Sequence, residues 1–207
     1  MPLKQPHLPA GRPAPAVPSD QVVLVDAQDR SIGTYPKLAA HQEGRLHRAV
    51  SVLVSDGDER ILLQRRAITK YHSGGMWSNT CCTHPYPNES PAAAAHRRLQ
   101  EEMGFDCDLE RTGSILYRTE LTGGLIEHEY DHVFLGEFEG EPQPDPVEVA
   151  DWRWVGLTEL LAQRDLMLQA YTPWFWLVLE HLREAGWPGP DLAPRDRTSQ
   201  PASPSAG

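Results

Sequence analysis

Short runs of apolar residues, many of them β-branched, alternate along the chain with polar segments, and these runs predict β-strands. The first run covers residues 21–26 and ends at a polar stretch, and the second covers residues 46–55. The polar segment at residues 56–59 predicts a tight turn into a third strand at residues 61–66, and therefore a hairpin. Further strands are predicted at residues 115–119, 125–138 and 152–155.

Three other segments have patterns typical of helices. Ser90 is a candidate N-cap and Pro91 a candidate first-turn proline for a helix over residues 92–103, which the following glycine ends. Residues 157–163 and 173–184 are predicted to form two more helices. Strands and helices are mixed without regular alternation, and no internal repeat is visible. The expected fold class is therefore α+β, with helices packed on a mostly antiparallel or mixed sheet.

Composition divides the chain into a central domain and two tails. Eleven of the 19 prolines lie in residues 1–20 and 186–207, which also lack a periodic apolar pattern. Such segments cannot bury enough apolar surface to fold, so they are predicted to be disordered tails. Residues 21–185 are long enough to enclose a core and are expected to form one compact catalytic or binding domain.

Charge and cysteine content exclude several classes of protein. The chain has 29 acidic and 19 basic residues and a formal net charge of −10, which disfavours nucleic acid as a partner, because that binding requires many phosphates to be neutralised. No apolar run reaches the roughly 18 residues that span a bilayer, and prolines stand where a signal peptide needs apolar residues. Three cysteines, two of them adjacent, do not suggest a disulfide framework. A cytoplasmic monomer with no membrane partner is expected.

A segment near the middle of the chain has the spacing of a known motif. Thr83 is followed by five residues, Glu89, seven more residues, and then Arg-Arg-Leu-Gln-Glu-Glu-Met-Gly-Phe at residues 97–105. This spacing resembles the Nudix box, which starts with glycine and has a glutamate directly after its arginine. In that family a loop and a helix gather carboxylates and a divalent cation against a pyrophosphate, and the resemblance implies a Nudix-like α/β/α sandwich.

Two residues depart from the Nudix pattern, and the helix also has a simpler interpretation. Thr83 replaces the glycine, and Arg98 replaces a metal-binding glutamate. A site with one carboxylate fewer and one cation more is suited to holding a diphosphate without hydrolysing it. In the simpler interpretation, the pairs Arg97–Glu101 and Arg98–Glu102 are ordinary i,i+4 ion pairs on a solvated helix.

A Cys-x-His-Pro element stands directly before the box, at residues 82–85. Together the two motifs resemble the type 1 isopentenyl diphosphate isomerases, a branch of the Nudix superfamily, and the resemblance extends over about residues 21–182. Two further motifs are in register with that family: the paired histidines His41 and His47, and the Glu-x-Glu strand of Glu127 and Glu129.

These histidines and glutamates predict a metal site. Side chains two residues apart on a strand share a face, so Glu127 and Glu129 lie on one face while His128 points to the other. Two carboxylates on one face repel each other unless a positive group lies between them. The resemblance implies a site of three histidines and two glutamates, suited to Mn²⁺, Mg²⁺ or Zn²⁺. Its members are His41, His47, His84, Glu127 and Glu129.

Other interpretations of the cysteines and histidines have less support. A zinc knuckle built on the Cys-x-His pair is disfavoured, because the chain has no second cysteine pair at the required spacing. The remaining histidines match no family ligand and are expected to be structural or solvated: His7, His72, His96, His128, His132 and His181.

The resemblance implies interconversion of isopentenyl diphosphate and dimethylallyl diphosphate in isoprenoid precursor synthesis. One proton must reach the terminal alkene carbon and another must leave the allylic carbon, by way of a carbocation-like state. The family pattern assigns Cys82 and Glu129 as the two proton carriers and Tyr117 as the hydrogen-bond partner of Glu129. Trp174 matches the tryptophan whose ring stabilises the cation. Without the resemblance, Trp174 and Cys82 would be interpreted as core residues.

The diphosphate group requires cations, and the family pattern supplies them. It places four around the substrate: Lys37, Arg66, Lys70 and Arg98. Glu102, in the box, is expected to hold a Mg²⁺ ion that bridges the substrate phosphates. Arg65 is expected to be a solvated charge at a strand end.

Two other functions remain open as alternatives. The first is a Nudix pyrophosphohydrolase that cleaves a nucleoside diphosphate derivative, which Arg98 disfavours because it replaces a catalytic carboxylate. The second is a non-catalytic metal-binding or regulatory domain with the same fold, which the presence of both proton carriers disfavours.

Overall fold

The computed structural model describes residues 20–162 and 164–187, so most of both predicted tails lies outside the described residues, as does Gln163 of a predicted helix. No helix in these ranges is both long and apolar enough to cross a bilayer. The described strands are β1 (Gln21–Val25), β2 (Ser31–Pro36), β3 (His47–Ser55), β4 (Arg60–Arg66), β5 (Trp77–Ser78), β6 (Cys81–Thr83), β7 (Leu109–Glu120), β8 (Ile126–Glu137) and β9 (Val149–Gly156). The described helices are α1 (Lys37–Glu43), α2 (Pro91–Met103), α3 (Leu157–Ala162), α4 (Arg164–Met167) and α5 (Pro173–Glu184), with a 3₁₀ turn at Leu168–Ala170.

A mixed sheet forms the middle layer, as the sequence predicts, and β3 is its central strand. β3 runs parallel to β8 and antiparallel to β1 and β6, while β7 pairs antiparallel with β8. The predicted hairpin forms only next to its turn, because the single residue pair between β3 and β4 is Ser55 with Ile61. Beyond that pair, β4 leaves β3 and pairs antiparallel with β9.

Two apolar layers lie on opposite faces of this sheet. Leu53 and Leu63 pack with α5 in one cluster, whereas their neighbours Val52 and Leu62 pack with α2 in the other. This alternation is the period of two expected for strands that are buried on both faces. The result is an α/β/α sandwich, and the α+β class is confirmed.

Helix α2 has the ends that the sequence predicts. The Ser90 hydroxyl accepts a hydrogen bond from the N–H of Ala93 at 3.2 Å, and Pro91 occupies the first turn. Gly104 ends the helix in the left-handed conformation, with φ at 77°. The helix packs against β6 and β3, which places its box residues beside the strand that carries Cys82.

The apolar pattern does not predict β2 or α1, although α1 positions two of the predicted site residues. Every residue of β2 except Tyr35 is exposed, so this edge strand has no alternating pattern to detect. Helix α1 has only seven residues, too few for a 3.6-residue period to become visible. It begins at Lys37, carries His41 in its last turn, and ends at Gly44, which has φ at 64°.

Candidate active site

Five predicted ligands converge although they come from four segments of the chain. His41 lies on α1, His47 begins β3, His84 follows β6, and the two glutamates lie on β8. One donor atom from each residue lies within 4.8 Å of the donor atoms of all the others. The cluster consists of His41, His47, His84, Glu127 and Glu129.

Backbone carbonyls fix the rings of two of these histidines. Nδ1 of His41 lies 2.7 Å from the carbonyl oxygen of Lys37, and Nδ1 of His47 lies 2.7 Å from that of Arg45. Because a carbonyl can only accept, each Nδ1 carries the proton and donates it. In the neutral rings, Nε2 is left with a lone pair that faces the cluster, which is the usual arrangement of histidines that bind a metal.

The lone pairs in the cluster face one another at short range. Nε2 of His84 lies 3.1 Å from Nε2 of His47 and 2.9 Å from Oε1 of Glu129. Nε2 of His41 and Oε2 of Glu127 lie 3.1 Å apart, yet within the described residues both are buried without a hydrogen bond. A divalent cation satisfies such a set of nitrogen and oxygen donors, so the cluster fits a metal ion.

The two glutamates have opposite pKa shifts. Burial and the neighbouring Glu129 raise the pKa of Glu127. Burial also acts to raise the pKa of Glu129, but the close imidazoles of His47 and His84 outweigh it and hold that pKa well below its usual range. Glu129 is therefore ionised at neutral pH, at the centre of the cluster.

Strand β3 lies between the two predicted proton carriers. Its first residue, His47, is in register with Glu129 on β8, while Ser51 is in register with Cys82 on β6. The Cys82 thiol donates to Oδ1 of Asn79 at 3.1 Å, and it lies 3.5 Å from the Ser51 hydroxyl. Burial and the nearby Asp131 raise the pKa of Cys82 to about 12, so the resting group is a thiol.

Tyr117 contacts Glu129, as the family resemblance implies. The two residues are cross-strand neighbours on β7 and β8, and the Tyr117 hydroxyl donates a hydrogen bond to Oε2 of Glu129. Burial and the charge of Glu129 raise the pKa of Tyr117 well above its usual value. The phenol therefore keeps its proton next to the ionised carboxylate.

Trp174 lies in the first turn of α5 with only 4% of its surface exposed. The guanidinium of Arg66 is 5.5 Å from the centroid of its ring, and the ring of His72 approaches it edge-on at 5.9 Å. The indole thus forms an aromatic wall beside cationic and neutral groups.

A cavity of about 290 Å³ brings most of the predicted site residues together. His41, His47 and Tyr117 do not line it, but they contact the glutamates that do. The predicted residues in its wall are Lys37, Arg66, Lys70, Cys82, His84, Arg98, Glu102, Glu127, Glu129 and Trp174.

Several cationic side chains of the cavity lie close together around Lys37. Burial lowers the pKa of Lys37, and the neighbouring Lys70, Arg98 and Arg66 lower it further. Mutual repulsion of this kind indicates a place where an anion is stabilised. Glu148 partly balances the group, since both Lys70 and Arg98 form ion pairs with it.

The box glutamate is buried, which the solvated-helix interpretation does not explain. Glu102 is 4% exposed, accepts a hydrogen bond from Nε2 of Gln64 at 2.7 Å, and forms an ion pair with Arg98. Arg97 pairs in bidentate geometry with Glu89, at 2.7 and 2.9 Å, in addition to its i,i+4 contact with Glu101. The helix face at the cavity is therefore a fixed polar network.

Several residues that the motifs did not single out also belong to the site. His72 is buried, has a pKa lowered to about 3 chiefly by burial and then by Arg66, and places Nε2 3.4 Å from Glu127. Asp131 is buried on the face of β8 that carries the two glutamates, and extending their period of two would have indicated it. Nothing in the local sequence signals Gln64 or Glu148. Gln64, on β4, contacts the cavity residue Glu102, and Glu148, in the segment before β9, lines the cavity itself.

Known proteins match the chain over most of its described length. A family model described as NUDIX domain matches residues 45–175. The protein named isopentenyl-diphosphate Delta-isomerase 2 in Aromatoleum aromaticum is 56% identical over 158 residues, which cover 76% of this chain and 82% of that protein. The protein named isopentenyl-diphosphate Delta-isomerase in Serratia proteamaculans is 45% identical over 163 residues, covering 79% of this chain and 91% of that protein.

Solved structures show the same architecture at low sequence identity. The crystal structure of DR0079 from Deinococcus radiodurans has a TM-score of 0.64 and 17% identity, covering 79% of this chain and 98% of that one. The MutT protein from Methanosarcina mazei has a TM-score of 0.54 and 21% identity, covering 67% of this chain and 94% of that one. These two matches establish the shared fold.

Proposed function

This chain belongs to the NUDIX family, and within it to the isopentenyl-diphosphate Delta-isomerases, and we propose how its residues interconvert isopentenyl diphosphate and dimethylallyl diphosphate. One observation carries the proposal. A single cavity combines the Cys82 thiol, the carboxylate of Glu129 with its tyrosine partner, an aromatic wall at Trp174 and a group of cations. These are the components required to move a proton on and off an alkene next to a diphosphate.

Cys82 and Glu129 are the two proton carriers. They lie on strands that flank β3 from opposite sides, so a substrate chain between them is accessible to both. The Tyr117 hydroxyl holds Oε2 of Glu129 and keeps a proton beside it. Because the reaction is reversible, each carrier donates a proton in one direction and accepts one in the other.

Trp174 stabilises the positive charge that forms when the alkene is protonated. The electron-rich face of an indole attracts a cation by about 2 kcal/mol when the site is free of water. The ring is almost completely buried, which keeps water away from that face. An intermediate cation in this position loses a proton more readily than it is captured by water.

The histidine and glutamate cluster is proposed to hold a divalent cation, either Mn²⁺, Mg²⁺ or Zn²⁺, all of which accept nitrogen and oxygen donors. When bound, such a cation neutralises the glutamates and increases the acidity of the groups that touch it. The protein's own contribution is orientation, since His41 and His47 are fixed by backbone carbonyls. Glu129 belongs to this cluster and is also a proton carrier. Its two oxygens have separate partners, His84 at Oε1 and Tyr117 at Oε2, which is compatible with both roles.

The diphosphate is proposed to bind among Lys37, Arg66, Lys70 and Arg98. The arginines can donate two parallel hydrogen bonds to phosphate oxygens, while the lysines act as point charges. Glu102 is proposed to hold a Mg²⁺ ion against the phosphates, because its buried carboxylate lies in the same wall. Hydrolysis is not favoured, since Arg98 stands where the Nudix box has a carboxylate.

We also propose that the enzyme acts in the cytoplasm as a monomer. All of the proposed site residues come from one chain, so a second copy is not required to complete the site. The three cysteines are free thiols, as expected in a reducing compartment.

Product analysis tests the proposed reaction. Purified protein with Mg²⁺ is incubated with isopentenyl diphosphate, and the mixture is assayed both for dimethylallyl diphosphate and for inorganic phosphate. We expect dimethylallyl diphosphate without phosphate release. Release of phosphate from the substrate, with no dimethylallyl product, would show that the protein is a hydrolase.

A further inference from the structure

Buried polar side chains connect the two parts of the site that must act on the same substrate carbons. Cys82 lies on β6 and Trp174 on α5, about 90 residues later in the chain. Three fully or almost fully buried residues link them: Ser78, Asn79 and Thr172. We propose that these three are positioning residues that fix the Cys82 thiol relative to the Trp174 ring. This inference rests on the proposed function.

The orientation of the Asn79 amide is determined by its surroundings. Its nitrogen donates to the carbonyl oxygens of Val52 at 3.0 Å and Cys81 at 2.9 Å. Since carbonyl oxygens only accept, the NH₂ group must face them and Oδ1 must face the thiol. Oδ1 accepts from the Cys82 thiol at 3.1 Å, which directs the S–H toward Asn79, while Cys82 also lines the cavity.

The same oxygen connects Cys82 to α5 through two hydroxyl groups. Ser78 donates to Oδ1 of Asn79 at 3.0 Å, and its own oxygen lies 3.0 Å from the hydroxyl of Thr172. Because the Ser78 proton is directed to Asn79, the Thr172 hydroxyl is the donor in the second bond. The donors thus run in one direction, from Thr172 through Ser78 to Oδ1 of Asn79, the atom that also accepts from Cys82.

Thr172 occupies the N-cap position of α5 but does not cap the helix. A threonine at an N-cap usually accepts a hydrogen bond from an N–H in the first turn, whereas no side-chain cap bond is present at Thr172. Its hydroxyl contacts Ser78 instead, and its N–H donates to the carbonyl oxygen of Trp77 at 2.8 Å. The first turn of α5, which carries Trp174, is therefore fixed to β5 by both side chain and backbone.

Substitution of Thr172 tests the bridge. Thr172→Val keeps the shape and removes the hydroxyl, so we expect kcat for isopentenyl diphosphate to fall about 10- to 100-fold, the effect of a small misplacement of reacting groups. KM is expected to remain within about twofold, because the diphosphate binds to other residues. Thr172→Ser restores the hydroxyl and is expected to recover kcat. Ser78→Ala, which breaks the bridge at another point, should lower kcat in the same way.

Thr80→Val is the matched control. Thr80 is also fully buried, donating to the carbonyl oxygen of Leu62 at 2.7 Å and accepting from the N–H of Val54 at 2.9 Å, but it is not part of the bridge. We expect this variant to lose thermal stability without a fall in kcat. Equal kcat values for Thr172→Val and Thr80→Val, or failure of Thr172→Ser to recover activity, would overturn the bridge. An inactive unmodified protein would instead refute the proposed function.

Discussion

At the scale of single residues, hydrogen-bond partners outside the candidate metal site orient two of its histidine ligands. His41 and His47 each donate from Nδ1 to a backbone carbonyl, so their lone pairs are directed before any ion binds. Preorganised ligands of this kind reduce the ordering that accompanies metal binding. The ligands are therefore expected to act as a set, and removing one should weaken the whole site.

Glu127→Gln tests this set. The substitution keeps the size of the side chain but removes its charge. Mutating a residue that only supports a metal ligand typically lowers metal affinity about 10- to 100-fold, so losing a ligand's charge should cost at least as much. We expect at least about a 100-fold loss of affinity, measured by metal titration of the apoprotein and by metal content after dialysis against a chelator.

His128→Gln serves as the control, because His128 is adjacent on β8 and contacts the carbonyl oxygen of Gly44 instead of the cluster. It should retain the metal. If both variants retained metal equally, the five-residue site would be wrong.

Acidification should weaken metal binding, because it protonates the ligand His41, whose pKa is raised. Burial lowers the pKa of His41, but the charge of Glu127 outweighs it and raises that pKa above the ordinary 6.5. Protonated His41 cannot ligate, so metal affinity is expected to be full well above this raised pKa and to fall as the pH drops through it. His84 should not limit binding there, since burial holds its pKa well below 6.5. Titration of metal affinity from pH 8 to pH 6 checks this, and an affinity that stays constant or rises on acidification contradicts it.

The sequence predicts the ligands better than it predicts their supports. The family resemblance implies the histidines and glutamates, because it is carried by short motifs in which each of them lies. Gln64 and His72, in contrast, reach the site only because β4 and the loop after it fold beside α2 and β8. Their roles depend on tertiary contacts, which no local pattern reports.

At the scale of elements, the end of α2 is closely packed against a later segment. The N–H of Gln143 donates to the carbonyl oxygen of Met103 at 3.0 Å, and that of Asp145 to Glu102 at 3.0 Å. The same segment leads to Glu148, which pairs with the cavity cations. The glycine at the end of the helix therefore affects both stability and the site.

Gly104→Ala tests this packing. Gly104 has φ at 77°, and a Cβ there would collide with the carbonyl oxygen of Gln143. We expect the free energy of unfolding to fall by about 3 kcal/mol, from the left-handed backbone and the collision together. Gly123→Ala is the control, since Gly123 has φ at 88° but nothing within 4 Å, and about 1–2 kcal/mol is expected there. Urea denaturation measures both, and equal losses would contradict a close approach at Gly104.

Elements with strong local signals were predicted, and those without were not. The helix α5 was predicted with the bounds Pro173–Glu184, because Pro173 and a dense apolar stripe mark it. The edge strand β2 and the short helix α1 were missed, since one is exposed and the other spans two turns. The β3–β4 hairpin was only partly right, because β4 pairs more extensively with β9. Long-range pairing of this kind competes with local turns, and sequence pattern does not decide between them.

At the scale of the whole molecule, the net charge is negative, although the cavity contains a group of cationic side chains. The chain has a net charge of −10, which repels an anionic substrate at long range. At physiological ionic strength this repulsion is screened within about 8 Å. Inside the cavity, the proposed diphosphate ligands Lys37, Arg66, Lys70 and Arg98 are expected to outweigh this repulsion at short range.

Activity is expected to reside entirely in the central domain. All proposed site residues lie between Lys37 and Trp174. A chain trimmed to residues 20–187 should therefore keep kcat and KM within about twofold of the full chain. Steady-state kinetics of both proteins checks this, and a loss of more than about tenfold in kcat/KM would show that a terminal segment takes part.

The most direct test of the account follows the protons themselves. Isopentenyl diphosphate is incubated in D₂O with the purified protein and Mg²⁺, and proton NMR is recorded over time beside a Cys82→Ala variant. We predict that dimethylallyl signals grow while deuterium enters the carbon skeleton, and that the variant produces neither change. An unmodified protein that leaves the carbon skeleton unchanged, or a Cys82→Ala variant that isomerises at the same rate, would contradict the central claim.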